Sequence, residues 1–192
     1  MLSVVARVLL RLGGWTPVGG TIPVPRAVII AAPHTSNWDG IWGLVYRVAL
    51  RLDIHFFAKD TLFWFPLGLV LRSLGGVPLD RDRPGDAVPI AIAALRDNAH
   101  YYFGLAPEGT RRRKDYWKTG FYRIARDAGV PIVLGFLDYG RKRLGTGPVM
   151  ELTGDVDRDM ARIRAFYADI TGRHPANATP PALPPPTARG RW

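Results

Sequence analysis

Apolar residues arrive along this chain in short blocks, and the spacing within each block separates strands from helices. "RAVIIAA" (26–32), "IHFFAK" (54–59), "HYYFGLA" (100–106) and "VPIVLGFLD" (130–138) are β-branched or aromatic runs of strand length. "GVPLD" (76–80) is a shorter strand, and "PVMEL" (148–152) reads as an edge strand. Between them lie stretches with helical length. One begins at "NWDG" (37–40) behind the capping residues Ser36 and Asn37, and another covers 61–73 with a start or kink at Pro66. A third spans 87–98 behind Asp86, with Pro89 tolerated in its first turn. A fourth (120–129) ends at a glycine, and a last amphipathic one covers 155–170. This alternation predicts an α/β fold: a single domain whose central, largely parallel or mixed sheet is flanked by helices.

The ends of the chain are patterned differently. "MLSVVARVLLRL" (1–12) is apolar except for Ser3, Arg7 and Arg11, which fall on one stripe of a helix. It is shorter than the roughly 20 residues that span a bilayer. Residues 1–25 are therefore expected to be an amphipathic segment, either packed on the core or lying in the membrane interface with its arginines toward headgroups. "LFWFPLGLVL" (62–71) is also too short to span, and no transmembrane segment is expected. The main domain is expected over 26–172, and 173–192 as a Pro-rich flexible tail.

Composition adds a constraint on partners. The formal charge of +10 over 192 residues predicts attraction to an anion: nucleic acid, a phospholipid surface, or a phosphorylated or CoA-like substrate. The absence of cysteine removes thiolate nucleophiles and Cys-ligated metal centres.

Two polar clusters follow predicted strands, where α/β proteins place their active sites. "HTSNWD" (34–39) offers three readings: a helix cap with an incidental histidine, a metal site, or a proton-handling pair of His34 and Asp39. No further cluster with metal-ligand spacing supports the second. Ser36 sits in no nucleophile elbow, so direct attack by a substrate hydroxyl requires less than an acyl-enzyme. "APEGTRRRK" (106–114) contains Glu108, one of two glutamates, with Gly109, Thr110 and Arg111, which can bind an anion through paired donors. A polar turn beside a solvated basic run would look the same. "GGVPLDRDR" (75–83) offers Arg81 or Arg83 as a phosphate ligand, or simply a salt-bridged turn.

Taken together, His34 through Asp39, Val77-Pro78-Leu79-Asp80-Arg81, Pro107 through Arg111 and Val130 through Val133 resemble, in order, the four blocks of the glycerolipid acyltransferase family, of the lysophosphatidic acid acyltransferase type. The likeness runs over about residues 26–138. It implies that His34 is the general base on an acceptor hydroxyl and that Asp39 orients the imidazole. It also implies that Lys59, Arg81, Glu108, Gly109, Thr110 and Arg111 bind substrate. The expected donor is acyl-CoA or acyl-carrier protein, with no cofactor and no metal. The expected acceptor is a lysophospholipid or glycerol-phosphate-type hydroxyl, with a different lipid precursor as the alternative, reached at an anionic membrane surface on its cytoplasmic face. An apolar acyl tunnel is expected along residues 41–50 and 62–71. Two other readings stay open: a non-catalytic anionic-lipid binder, and a nucleic-acid binder, for which no recognisable module is present.

Overall fold

The computed structural model describes residues 1–80 and 85–185. Its elements in chain order are α1 (Leu2–Leu12), β1 (Thr16–Val18), β2 (Arg26–Ala32), α2 (Asn37–Leu50), β3 (Ile54–Lys59), α3 (Leu67–Ser73) and β4 (Gly76–Leu79). They continue with α4 (Ala87–Asp97), β5 (Tyr101–Leu105), α5 (Gly120–Ala128), β6 (Ile132–Asp138), β7 (Arg143–Met150) and α6 (Val156–Tyr167). The strands form one sheet in the order β1-β7-β6-β2-β5-β3-β4, parallel throughout except for the antiparallel pair β6 and β7. The expected α/β layering with a mixed sheet is what the chain adopts.

Alternation along the central strand builds two cores. Ala27 and Ile29 point to one face, against α1 and α2, with Leu10, Tyr46 and Ala49. Val28, Ile30 and Ala32 point to the other, against α4, α5 and α6, with Leu95, Phe121 and Ile163. A strand buried on both faces reads as the unbroken apolar run seen at 26–32.

Three differences from the sequence expectation have physical causes. β7 starts at Arg143, not 148, and is interior, paired to both β1 and β6. Its opening residues include Gly145 and Gly147, which read as a loop, but at Gly145 any Cβ would collide with the Val18 carbonyl of β1. Pro148, which has no N–H to donate, falls where the β6–β7 register shifts. β1 itself, three residues long, has no periodicity to detect.

The stretch expected as a flexible tail is instead held against the domain at Thr179 and Ala182. Trp117 donates from its backbone N to Ala182 O at 2.7 Å and from its indole to Thr179 O at 3.0 Å. Prolines restrict the unfolded chain, which lowers the entropy cost of fixing such a segment in place.

α1 lies on α2, with Ala6 and Leu10 buried. Two members of its polar stripe reach α2 and the residue that ends it: Arg7 donates to Ala49 O and Ser3 accepts from Arg51, while Arg11 is exposed. Val4, Val5, Val8 and Leu12 are left exposed. No helix among the described residues is long and apolar enough to cross a membrane.

Candidate active site

The polar clusters meet because their strands are parallel neighbours. Ile30 of β2 pairs with Leu105 of β5, so both chains leave the sheet at the same edge. From Ala32 the chain turns through Pro33 and His34 into α2. From Leu105 it turns through residues 106–111. Placement of a site at strand C-termini is the general rule for such sheets.

At the start of α2 the helix-cap and proton-pair readings coincide. Ser36 is the N-cap and its Oγ accepts from Trp38 N at 3.2 Å. Asp39 completes the capping box, with Oδ2 accepting from Thr35 N at 2.7 Å and Ser36 N at 2.8 Å. The same oxygen lies 3.5 Å from His34 Nδ1. One buried carboxylate therefore starts the helix and stands beside the imidazole. Nε2 is left without a protein partner among the described residues. Burial lowers the His34 pKa below its ordinary 6.5, Asp39 pulls it back up, and Arg111 opposes that pull. The net direction is down, so the ring is mostly neutral at pH 7 and able to accept a proton.

His34 and Asp39 sit on a cavity of about 610 Å³, within the range usual for small-molecule sites. It extends between α2 and the sheet as far as Arg47, about 12 Å along the helix at 1.5 Å per residue. Its walls are largely apolar, with Ile29, Leu44, Phe56 and Phe103 among them. On α2 the lining includes Gly40 and Gly43, where an added Cβ would meet nothing. Glycine in a helix interior costs up to about 1 kcal/mol relative to alanine. Two of them facing the cavity keep it open at that cost. Arg47 closes this end, donating to Ile54 O at 2.8 Å and pairing with Asp53 at 3.3 Å. Of the expected tunnel segments, residues from 41–50 line this cavity and those from 62–71 do not.

The structure brings His34, Asp39, Gly109, Thr110 and Arg111 together on this cavity. Arg111 is exposed at its mouth and donates to Asn37 Oδ1 at the start of α2. Gly109 has φ +65°, and a side chain there would strike the stem of Lys118. Lys59 ends β3, is exposed, and does not line the cavity. Arg81 lies outside the described residues.

Glu108 is placed differently from the expected substrate contact. It is 2% exposed and absent from the cavity wall. Oε1 accepts from His34 N, and Oε2 from Thr179 N at 3.1 Å. Glu108 thus ties the histidine loop to the C-terminal segment. Burial raises its pKa, and the backbone donors partly offset that. Glu108→Gln presents an amide donor to one of those N–H groups and leaves it unsatisfied. We expect a loss of about 1–3 kcal/mol in denaturant unfolding, together with a lower kcat as the His34 backbone loosens.

Sequence reasoning missed Tyr139, whose hydroxyl donates to Asp39 Oδ1 at 2.7 Å. It follows β6, which also ends at this edge, so the strand-end rule that selected His34 pointed to it as well. It also missed Arg173, whose guanidinium sits 5.6 Å from the Trp38 ring centroid, beside the helix start. Among the described residues, no three His, Cys, Asp or Glu side chains gather as a metal site.

Comparison with known proteins bears on the same elements. A search of curated proteins finds no match. Among solved structures, the chain is similar to the 1-acyl-sn-glycerophosphate (LPA) acyltransferase PlsC from Thermotoga maritima. The TM-score is 0.60 at 22% identity, covering 84% of this chain and 72% of that one. At that identity the likeness establishes the shared fold. A family model described as Acyltransferase matches residues 18–133, a span that contains His34, Asp39 and the 106–111 loop. A match over more than half of the chain, carrying both strand-end clusters, places this protein in the acyltransferase family.

Proposed function

We propose that this acyltransferase moves a fatty acyl group from an acyl thioester, acyl-CoA or acyl-carrier protein, to a hydroxyl of a lysophospholipid or glycerol-phosphate-type acceptor. The observation that carries this reading is the His34–Asp39 pair set on a deep apolar cavity. The cavity accommodates the acyl chain along α2 and presents the thioester carbonyl at its mouth. His34 Nε2 takes the proton of the acceptor hydroxyl as its oxygen attacks that carbonyl. The tetrahedral intermediate expels the thiolate, which takes the proton back from the imidazolium. Asp39 steadies the positive ring between those transfers. Arg111 at the mouth supplies a guanidinium for the acceptor phosphate, with Arg81 and Lys59 as further cations. The chemistry as written uses no metal or cofactor beyond the donor.

The site is reached at the cytoplasmic face of the membrane. Val5 and Val8 on α1, with Trp64, Phe65 and Leu69 about the start of α3, are exposed apolar side chains on a chain of charge +10. Apolar surface with added basic charge is the combination that holds proteins at anionic bilayers. Replacing both Val5 and Val8 by aspartate is expected to lower the fraction sedimenting with phosphatidylserine vesicles severalfold, with no change in melting temperature. Undiminished sedimentation would remove α1 from the docking face.

The test of the activity is one screen of purified protein against acyl donors and lysolipid acceptors, read by product mass spectrometry. Acylated lysolipid supports the reading. Donor consumption with no acylated lipid among the products would overturn the acceptor class.

A further inference from the structure

The Asp39 carboxylate is held unevenly. Thr35 N, Ser36 N and His34 Nδ1 all address Oδ2, and among the described residues only Tyr139 reaches Oδ1, at 2.7 Å. With Oδ2 as its sole anchor, the group would be free to turn about that oxygen and change the plane in which it meets the imidazole. The phenol supplying the second anchor is itself fixed. Its ring stands edge-on to Trp15 with centroids 4.8 Å apart, and its backbone N donates to Thr171 O at 2.8 Å. Lys142 and Arg173 lie about its face, 5.9 and 6.0 Å from the centroid. Tyr139 does not line the cavity and lies beyond the span matched by the family model.

Resting on the dyad reading above, we propose that Tyr139 is the positioning residue of the pair. Its O–H fixes the plane of the Asp39 carboxylate and takes up part of its charge. Oδ2 then orients His34 without holding the imidazole in its protonated form. Burial, and after it the bond to Asp39, push the phenol well above its ordinary range, so it stays a donor throughout the working pH.

Tyr139→Phe tests this because it removes one oxygen and keeps the ring against Trp15. The charged groups around the pair are Arg111 and Glu108 beside His34 and Asp39, with Lys142 and Arg173 around the ring. None of those charges is removed, and Arg173 loses only its hydrogen bond to the phenol. In wild-type protein the base must be neutral, so the acid limb of kcat/KM falls below 6.5, the ordinary histidine value. Without the phenol donor, Asp39 attracts the imidazolium proton more strongly, and the limb moves up. We expect kcat to fall about tenfold, a part of the ~10²–10⁴ that proton transfer supplies, with both KM values unchanged. An NMR titration of the His34 ring, assigned against His34→Gln, should show the same upward shift without needing turnover. An unmoved limb and titration, or a loss confined to melting temperature, would overturn the assignment. So would a raised KM at constant kcat, which would mean that the hydroxyl touches substrate. His34→Ala is run alongside. If it retains turnover, the dyad reading is what fails, and the titration still decides the effect of Tyr139.

Discussion

Replacing His34 by alanine is expected to lower acyl transfer by about 10²–10⁴-fold, the usual worth of a positioned proton acceptor, while the protein melts as before. The separation of activity from stability follows from how residue 34 is held. Its structural bond to Glu108 is made by the backbone N–H, which alanine keeps. Its side chain, 26% exposed, has the Asp39 carboxylate 3.5 Å from Nδ1. Asp39→Ala would be a poorer probe, because it also removes the capping box, worth typically about 1 kcal/mol. Initial rates with a saturating donor, beside a thermal melt, make the measurement. Turnover retained in folded His34→Ala would mean that another group takes the proton.

The second large effect concerns which donors are accepted. Gly43 faces the cavity midway along α2, and a side chain there has open space to enter. Gly43→Phe should fill that space and block long acyl chains, lowering their kcat/KM by at least about tenfold, since each methylene excluded from an apolar site forfeits about 0.8 kcal/mol. Short-chain donors should be spared. The helix gains rather than loses, because glycine is the weaker helix former by up to about 1 kcal/mol. Competition between acyl-CoA esters of graded length reads the result directly. An equal loss at every length would show that the acyl chain lies elsewhere.

What could be read from the sequence was whatever the chain keeps local. His34 and Asp39 fall within six positions, and Glu108 through Arg111 are contiguous, so spacing alone brought each cluster into view. That the two clusters share one edge followed from parallel strands, which the strand–helix alternation implies, but that β2 and β5 are neighbours was not legible. The direction of the Glu108 side chain was not legible. Whether a carboxylate beside a glycine turn faces substrate or interior depends on Thr179, 71 residues away. Tyr139, 100 residues from Asp39, was hidden in the same way. The inward turn of Ser3 and Arg7 was missed because periodicity finds a polar stripe without saying which side has the neighbour. Here α2 offered the Ala49 carbonyl as an acceptor, and the valines were left outside.

The tie between Glu108 and Thr179 has a consequence for the order in which the protein becomes competent. Synthesis runs from the N-terminus, and once β6 has emerged every strand touching β2 is available. Such a nascent chain has its histidine, its aspartate and the cavity walls other than Leu144, Gly145 and Thr146 of β7. It still carries a buried carboxylate with one oxygen unsatisfied, because the amide that answers it has not yet been made. A seemingly featureless proline stretch thus completes the hydrogen bonding of Glu108, and through it the support of the His34 backbone, only after both strand-end clusters have been made.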